Sequence, residues 1–122
     1  MEYREIKLNV STDAIKRYKL FEGIKLYSDT FIAEDRKAVI SKRVYRTKKH
    51  NYVYYERTDV NWNYWNDKTK SDWRFNTHEV KRHIIFEVAS DLNQFIPYLE
   101  EEIIEKLILK EQHGEIIERL DI

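Results

Sequence analysis

The strongest constraint in this chain is a change of hydrophobic period near residue 90. In residues 4–10, Ile6, Leu8 and Val10 alternate with Glu5, Lys7 and Asn9, the two-residue repeat of a half-buried strand. Beyond residue 90 the repeat lengthens. Leu92, Phe95, Leu99, Ile103 and Leu107, joined by Ile96, Ile104 and Ile108, recur every three or four residues and draw a wide apolar stripe on a helix. A chain that writes its strands first and its helix last is α+β; a parallel sheet would need strands and helices in alternation.

Other strands follow from the same pattern. Residues 18–27 place Leu20, Ile24 and Leu26 on one side, with a bulge expected at Glu22-Gly23, and residues 29–35 read as a loop carrying Phe31-Ile32. Residues 37–47 and 51–58 are crowded with β-branched and aromatic side chains around Lys48-Lys49-His50. They form a hairpin whose tip, lacking Gly, needs more than a tight two-residue turn. A further strand is expected over 76–89, with Ile84, Phe86 and Val88 facing away from His83 and Glu87. Ser90 or Asp91 caps a short helical turn ending at Phe95, and Pro97 opens a main helix running to about Lys110. Gly114 stops that helix, and residues 115–122 are strand-like. The expected fold is a twisted antiparallel sheet of five or six strands packed against one C-terminal amphipathic helix, in a single domain over 1–122.

Composition removes several enzyme classes. Without cysteine there is no thiol nucleophile, thiolate metal site or disulfide framework. Two glycines, Gly23 and Gly114, cannot write a dinucleotide fingerprint, a P-loop or a nucleophile elbow. No apolar run approaches a membrane span and no signal-peptide pattern is present, so a cytoplasmic protein without membrane contact is expected. The 22 basic and 22 acidic side chains cancel overall but are unevenly placed. Residues 36–57 hold eight Lys/Arg and one acid, whereas residues 87–122 hold ten acids and three bases. Such blocks are ordinarily solvated faces that partly neutralise each other.

The last five residues spell Glu118-Arg119-Leu120-Asp121-Ile122. The opening Tyr3-Arg4-Glu5-Ile6-Lys7-Leu8, the segment Phe21-Glu22-Gly23-Ile24-Lys25-Leu26 and the stretch from Val44-Tyr45-Arg46-Thr47-Lys48-Lys49 to Tyr55-Glu56-Arg57 precede it in order. On these landmarks the chain resembles the EXLDI family of small bacterial proteins. The resemblance implies no established activity. Some longer relatives place a ribbon-helix-helix-like segment ahead of this domain, which implies a link to transcriptional regulation; here the strand beginning at Tyr3 comes first, so the companion domain alone is expected. Within the motif, Leu120 and Ile122 share a strand face and plug the core, while Glu118 or Asp121 is placed to pair with a basic group of the hairpin.

Three constellations could carry a function. Trp62, Tyr64, Trp65, Trp73 and Arg74, interleaved with amides, combine large apolar area with polar handles and make a candidate partner or ligand surface. The same rings could equally cover a sheet edge. Arg43, Arg46, Lys48, Lys49 and Arg57 alternate with Tyr45, Tyr52, Tyr54 and Tyr55, a pattern that can neutralise phosphates and stack bases, although the chain has no net positive charge. His78 and His83 are five apart on a strand, which sends them to opposite faces and argues against a metal pair. No cofactor or metal is expected, and no catalytic residue stands out. The favoured expectation is a non-catalytic protein-binding or regulatory module, self-associating or bound to a protein partner. The alternatives are a small-molecule binder or small enzyme between sheet and helix, built on Trp62, Trp65, Trp73, Arg74, His78 and His83, and weak nucleic-acid binding through hairpin 36–57.

Overall fold

The computed structural model describes residues 3–11, 15–34, 36–62 and 83–113. Five strands lie in chain order in one antiparallel sheet: β1 (Arg4–Asn9), β2 (Tyr18–Ile32), β3 (Ala38–Thr47), β4 (Tyr52–Val60) and β5 (His83–Ala89). A 3₁₀ turn, Leu92–Phe95, leads to the helix α1, Glu101–His113. This is the α+β arrangement expected from the change of period.

The sheet is curled into a half-barrel. Tyr55 on β4 donates its hydroxyl to the carbonyl of Asn9, at the end of β1, at 2.7 Å, although β2 and β3 lie between these strands. Three inter-strand steps in a flat sheet would separate them by about 14 Å. The contact therefore requires the sheet to bend, and it defines the concave side. There Leu8, Tyr45, Val53 and Tyr55 are buried, with Ile6, Val10, Phe21, Ile84 and Phe86 packed around them. The convex side carries the larger core: Val44, Tyr54, Phe95 and Ile104 are almost wholly buried among Leu26, Ala89, Leu92, Leu99 and Leu107. Both faces of the central hairpin are thus covered, which is why Val44, Tyr45, Val53, Tyr54 and Tyr55 are buried side by side without alternation.

Several local expectations are corrected. β2 does not end near residue 27 but continues to Ile32, because Ser28, Asp29, Thr30, Phe31 and Ile32 pair in register with Arg43, Lys42, Ser41, Ile40 and Val39. Its irregularity lies between Lys25 and Tyr27, not at Glu22-Gly23. Leu20 shares a face with Ile24 but is exposed. The hairpin tip, by contrast, is as expected longer than a two-residue turn: Lys48-Lys49-His50 form a three-residue loop in which the His50 amide donates to the Thr47 carbonyl, the Thr47 amide donates to the Asn51 carbonyl, and His50 adopts a positive φ of 64°.

Asp91 is the cap of the 3₁₀ turn, with Gln94 completing a capping box. The main helix starts four residues after Pro97. The Tyr98 carbonyl, which a helix opening at Pro97 would use internally, instead accepts from Lys42 Nζ at 2.6 Å, and Glu100 supplies the first carbonyl to Ile103 and Ile104. Gly114, the proposed strand 115–122, residues 76–82 of the expected fifth strand and the motif residues Glu118, Leu120, Asp121 and Ile122 lie outside the described residues.

Candidate functional site

Beneath the first turns of α1 the helix is packed closely on the sheet. Tyr54 stacks on Tyr98 with centroids 4.7 Å apart and packs against Phe95 at 5.6 Å, beneath the fully buried Ile104. Polar contacts fasten the helix at both ends. Toward its N-terminus, Lys42 holds the Tyr98 carbonyl and Tyr98 donates to Glu87, while within β4 Tyr54 donates to Glu56 at 2.6 Å. Burial and the neighbouring Glu56 carboxylate push the Tyr54 phenol well above the ordinary tyrosine range. Toward the C-terminus, Arg46 Nη1 donates to both oxygens of Glu111 at 2.9 Å, and Tyr52 adds a third hydrogen bond to the same carboxylate at 3.1 Å. These bonds hold the Arg46 guanidinium more firmly charged, while burial and the Glu111 charge raise Tyr52.

Beside this second fastening lies an open groove of about 450 Å³, lined by Arg46 and Tyr52 of the sheet, Asp91 before the 3₁₀ turn, and Ile108, Glu111 and Gln112 of α1. Its principal charges are already engaged: Glu111 by Arg46 and Tyr52, and Asp91 by the Asn93 amide at 2.9 Å. Among the described residues, no group of three or more His, Asp or Glu side chains is placed to hold a metal ion. No helix among them is long and apolar enough to cross a membrane.

The five basic residues singled out on the hairpin do not form one surface. Arg43 and Arg57 lie on the concave face, where Arg43 sits over Tyr55 and Arg57 binds Asp59 at 2.8 Å. Arg46 lies on the convex face against α1. Lys48 and Lys49 are exposed at the tip, with Lys48 bridged to Glu22 at 3.1 Å. Tyr45, Tyr54 and Tyr55 are buried in the two cores, so their rings are not offered to a ligand. Of the aromatic set, Trp62 is described and is 53% exposed; Tyr64, Trp65, Trp73 and Arg74, like His78, lie outside the described residues. Comparison with protein-family models, curated proteins and solved structures finds no match.

Residues that the sequence pattern did not single out lie, together with Trp62, which it did, at one end and one margin of the sheet. Phe31, on β2, belongs to the cross-strand row Phe31, Ile40, Thr58, His83, at the end opposite the hairpin tip. Phe31 and its neighbour Ile32 are exposed there, and Trp62 follows the last residue of β4 by two positions at the same end. β5 forms the margin. Among the described residues it pairs with β4 on one side and with no strand on the other. Its sequence, His83-Ile84-Ile85-Phe86-Glu87-Val88-Ala89, contains no lysine or proline, and its pairing with β4 runs in unbroken register. Lysine, proline and a bulge are devices that usually blunt a free strand edge, and β5 has none of them. β1, the opposite margin, carries Arg4, Glu5 and Lys7. Val88 on β5 is 59% exposed. The missed signal was an imbalance: β5 carries one formal charge, Glu87, where the shorter β1 carries Arg4, Glu5 and Lys7.

Proposed function

We propose that this protein is a cytoplasmic, non-catalytic association module that contacts another polypeptide through the β5 margin and the adjoining apolar end of the sheet. The observation that carries the reading is the conjunction of an edge strand with no further strand beside it among the described residues and Phe31, Ile32 and Trp62 exposed at the end of the sheet where β5 begins. Several large apolar side chains exposed along one end and one margin of a single sheet favour a protein contact. The packed core under α1 supports the same reading, and in the groove beside its last turns Glu111 and Asp91 are already engaged within the chain. The basic hairpin is read as part of the scaffold, since Arg46, Lys48 and Arg57 each have an acidic partner within the chain. The resemblance to the EXLDI family is kept as a proposal of kinship, and with it a regulatory setting.

The test is site-specific photocrosslinking of the full chain in its own cytoplasm. A photoreactive residue at Trp62 or Val88 is expected to give adducts of defined mass, and one at Lys106 on the exposed side of α1 is not. Absence of adducts at both Trp62 and Val88, or equal adducts at all three positions, would remove the reading.

A further inference from the structure

Taking the association reading as its basis, we infer that the partner of β5 is β5 of a second copy, paired antiparallel about a two-fold axis through Ile85. The argument begins with symmetry. A two-fold axis normal to a sheet keeps each face a face, so it must pass through a residue, and residue i then lies opposite a residue of the same parity. An axis at Glu87 would set two carboxylates directly against each other, which is unfavourable. One at Phe86 would set Glu87 against Ile85 and His83 against Ala89. With the axis at Ile85, His83 faces Glu87 twice, once on each side of the centre, and Ile84 faces Phe86.

Both faces of the sheet then continue in kind. His83 and Glu87 lie on the convex face, and both are exposed. Ile84 and Phe86 lie on the concave face within its apolar cluster, so the Ile84–Phe86 pairs extend that floor from one copy into the next. The result is a ten-stranded sheet whose outer margins are the two charged β1 strands. That arrangement covers the edge left open among the described residues and leaves the more heavily charged β1 edges in solvent.

Sedimentation velocity on the full chain from micromolar to submillimolar concentrations is expected to show a monomer–dimer equilibrium. Glu87→Lys should weaken dimerisation about tenfold, since two favourable pairs become unfavourable. Glu87 also accepts a hydrogen bond from Tyr98, so the single variant alone could act through the fold. The double variant His83→Glu/Glu87→Lys restores opposite charges across the axis and is expected to recover the dimer; a merely structural role for Glu87 would not be rescued. The register is read separately in this cysteine-free chain. Mixing His83→Cys with Glu87→Cys under mild oxidation should give the heterodisulfide, in excess of either homodisulfide. A monomer at every concentration, or a predominant Glu87→Cys homodisulfide, overturns the inference. A monomer that still crosslinks through Trp62 or Val88 to a different protein overturns self-pairing while leaving the association reading in place.

Discussion

Arg46 and Glu111, 65 positions apart in sequence, are joined by two 2.9 Å contacts that fix the last turns of α1 to the tip end of the β3–β4 hairpin. Their side chains are 18% and 13% exposed, so water screens the pair only in part. Arg46 Nε is buried without a hydrogen-bond partner, and Tyr52 depends on the same carboxylate. Removing Glu111 therefore strands a guanidinium and a phenol together. Glu111→Leu is expected to lower unfolding free energy by about 2 kcal/mol, and Arg46→Met/Glu111→Leu to recover part of it, because the pair is costly mainly when broken. Urea denaturation of the four members of this cycle measures the coupling; simple additivity would refute it.

Gly23 marks a second tight place. A Cβ built there would lie 2.8 Å from Phe21 Cε2 and 3.0 Å from the Arg46 carbonyl oxygen. The ring can move only by disturbing its edge-on contact with Tyr45 at 5.5 Å, and the carbonyl belongs to β3. Gly23→Ala is expected to destabilise by about 1–3 kcal/mol. Combining it with Phe21→Leu relieves the nearer clash but not the backbone one, so partial rescue is expected from chemical denaturation.

Much of this architecture was legible where neighbours in sequence are also neighbours in function. Alternation in β1, the crowded hairpin arms, the apolar stripe of the helix and the Asp91 cap are all local signals. The rest depends on residues far apart in the chain. Ser28, Asp29 and Thr30 look like loop residues until β3 offers Arg43, Lys42 and Ser41 as cross-strand partners. Pro97 looks like a first helical residue until Lys42 claims the Tyr98 carbonyl. Tyr45, Tyr54 and Tyr55 look like a stacking surface until the curl and the helix bury both faces of one hairpin. The basic block was visible as a charge excess. Its division among the concave face, the convex face and the tip follows from strand geometry, since odd spacings change face.

The hairpin tip gives a prediction of opposite signs at one position. His50 occupies a left-handed conformation, φ 64°, that costs a side chain roughly 1–2 kcal/mol, and most for a β-branched one. Glycine escapes that cost but loses more chain entropy on folding, which leaves a net gain of up to about 1 kcal/mol. His50→Gly is thus expected to hold or raise the thermal midpoint, while His50→Val lowers stability by about 1 kcal/mol or more. If both variants fall equally, the His50 side chain contributes contacts that outweigh its backbone strain.

Tyr54 ties stability to alkaline pH. Its ring is wholly buried and its hydroxyl donates to Glu56, so burial first and the carboxylate second hold the phenol in its neutral form. Burial is also the largest cause raising Tyr27, Tyr52 and Tyr55. A group whose pKa is higher in the folded state contributes its full stability below the unfolded value, about 10 for tyrosine, and loses it as pH rises through the folded value. Stability should therefore hold up to about pH 9.5 and fall above about pH 10, as the unfolded chain releases phenolic protons that the folded chain retains. Tyr54→Phe removes one such proton from both states. It should cost about 1 kcal/mol at neutral pH through the lost hydrogen bond to Glu56, and flatten the alkaline decline. Urea midpoints of both proteins, compared between about pH 8 and about pH 11, read the two effects separately. Parallel alkaline declines in the two proteins would place the titration on groups other than Tyr54.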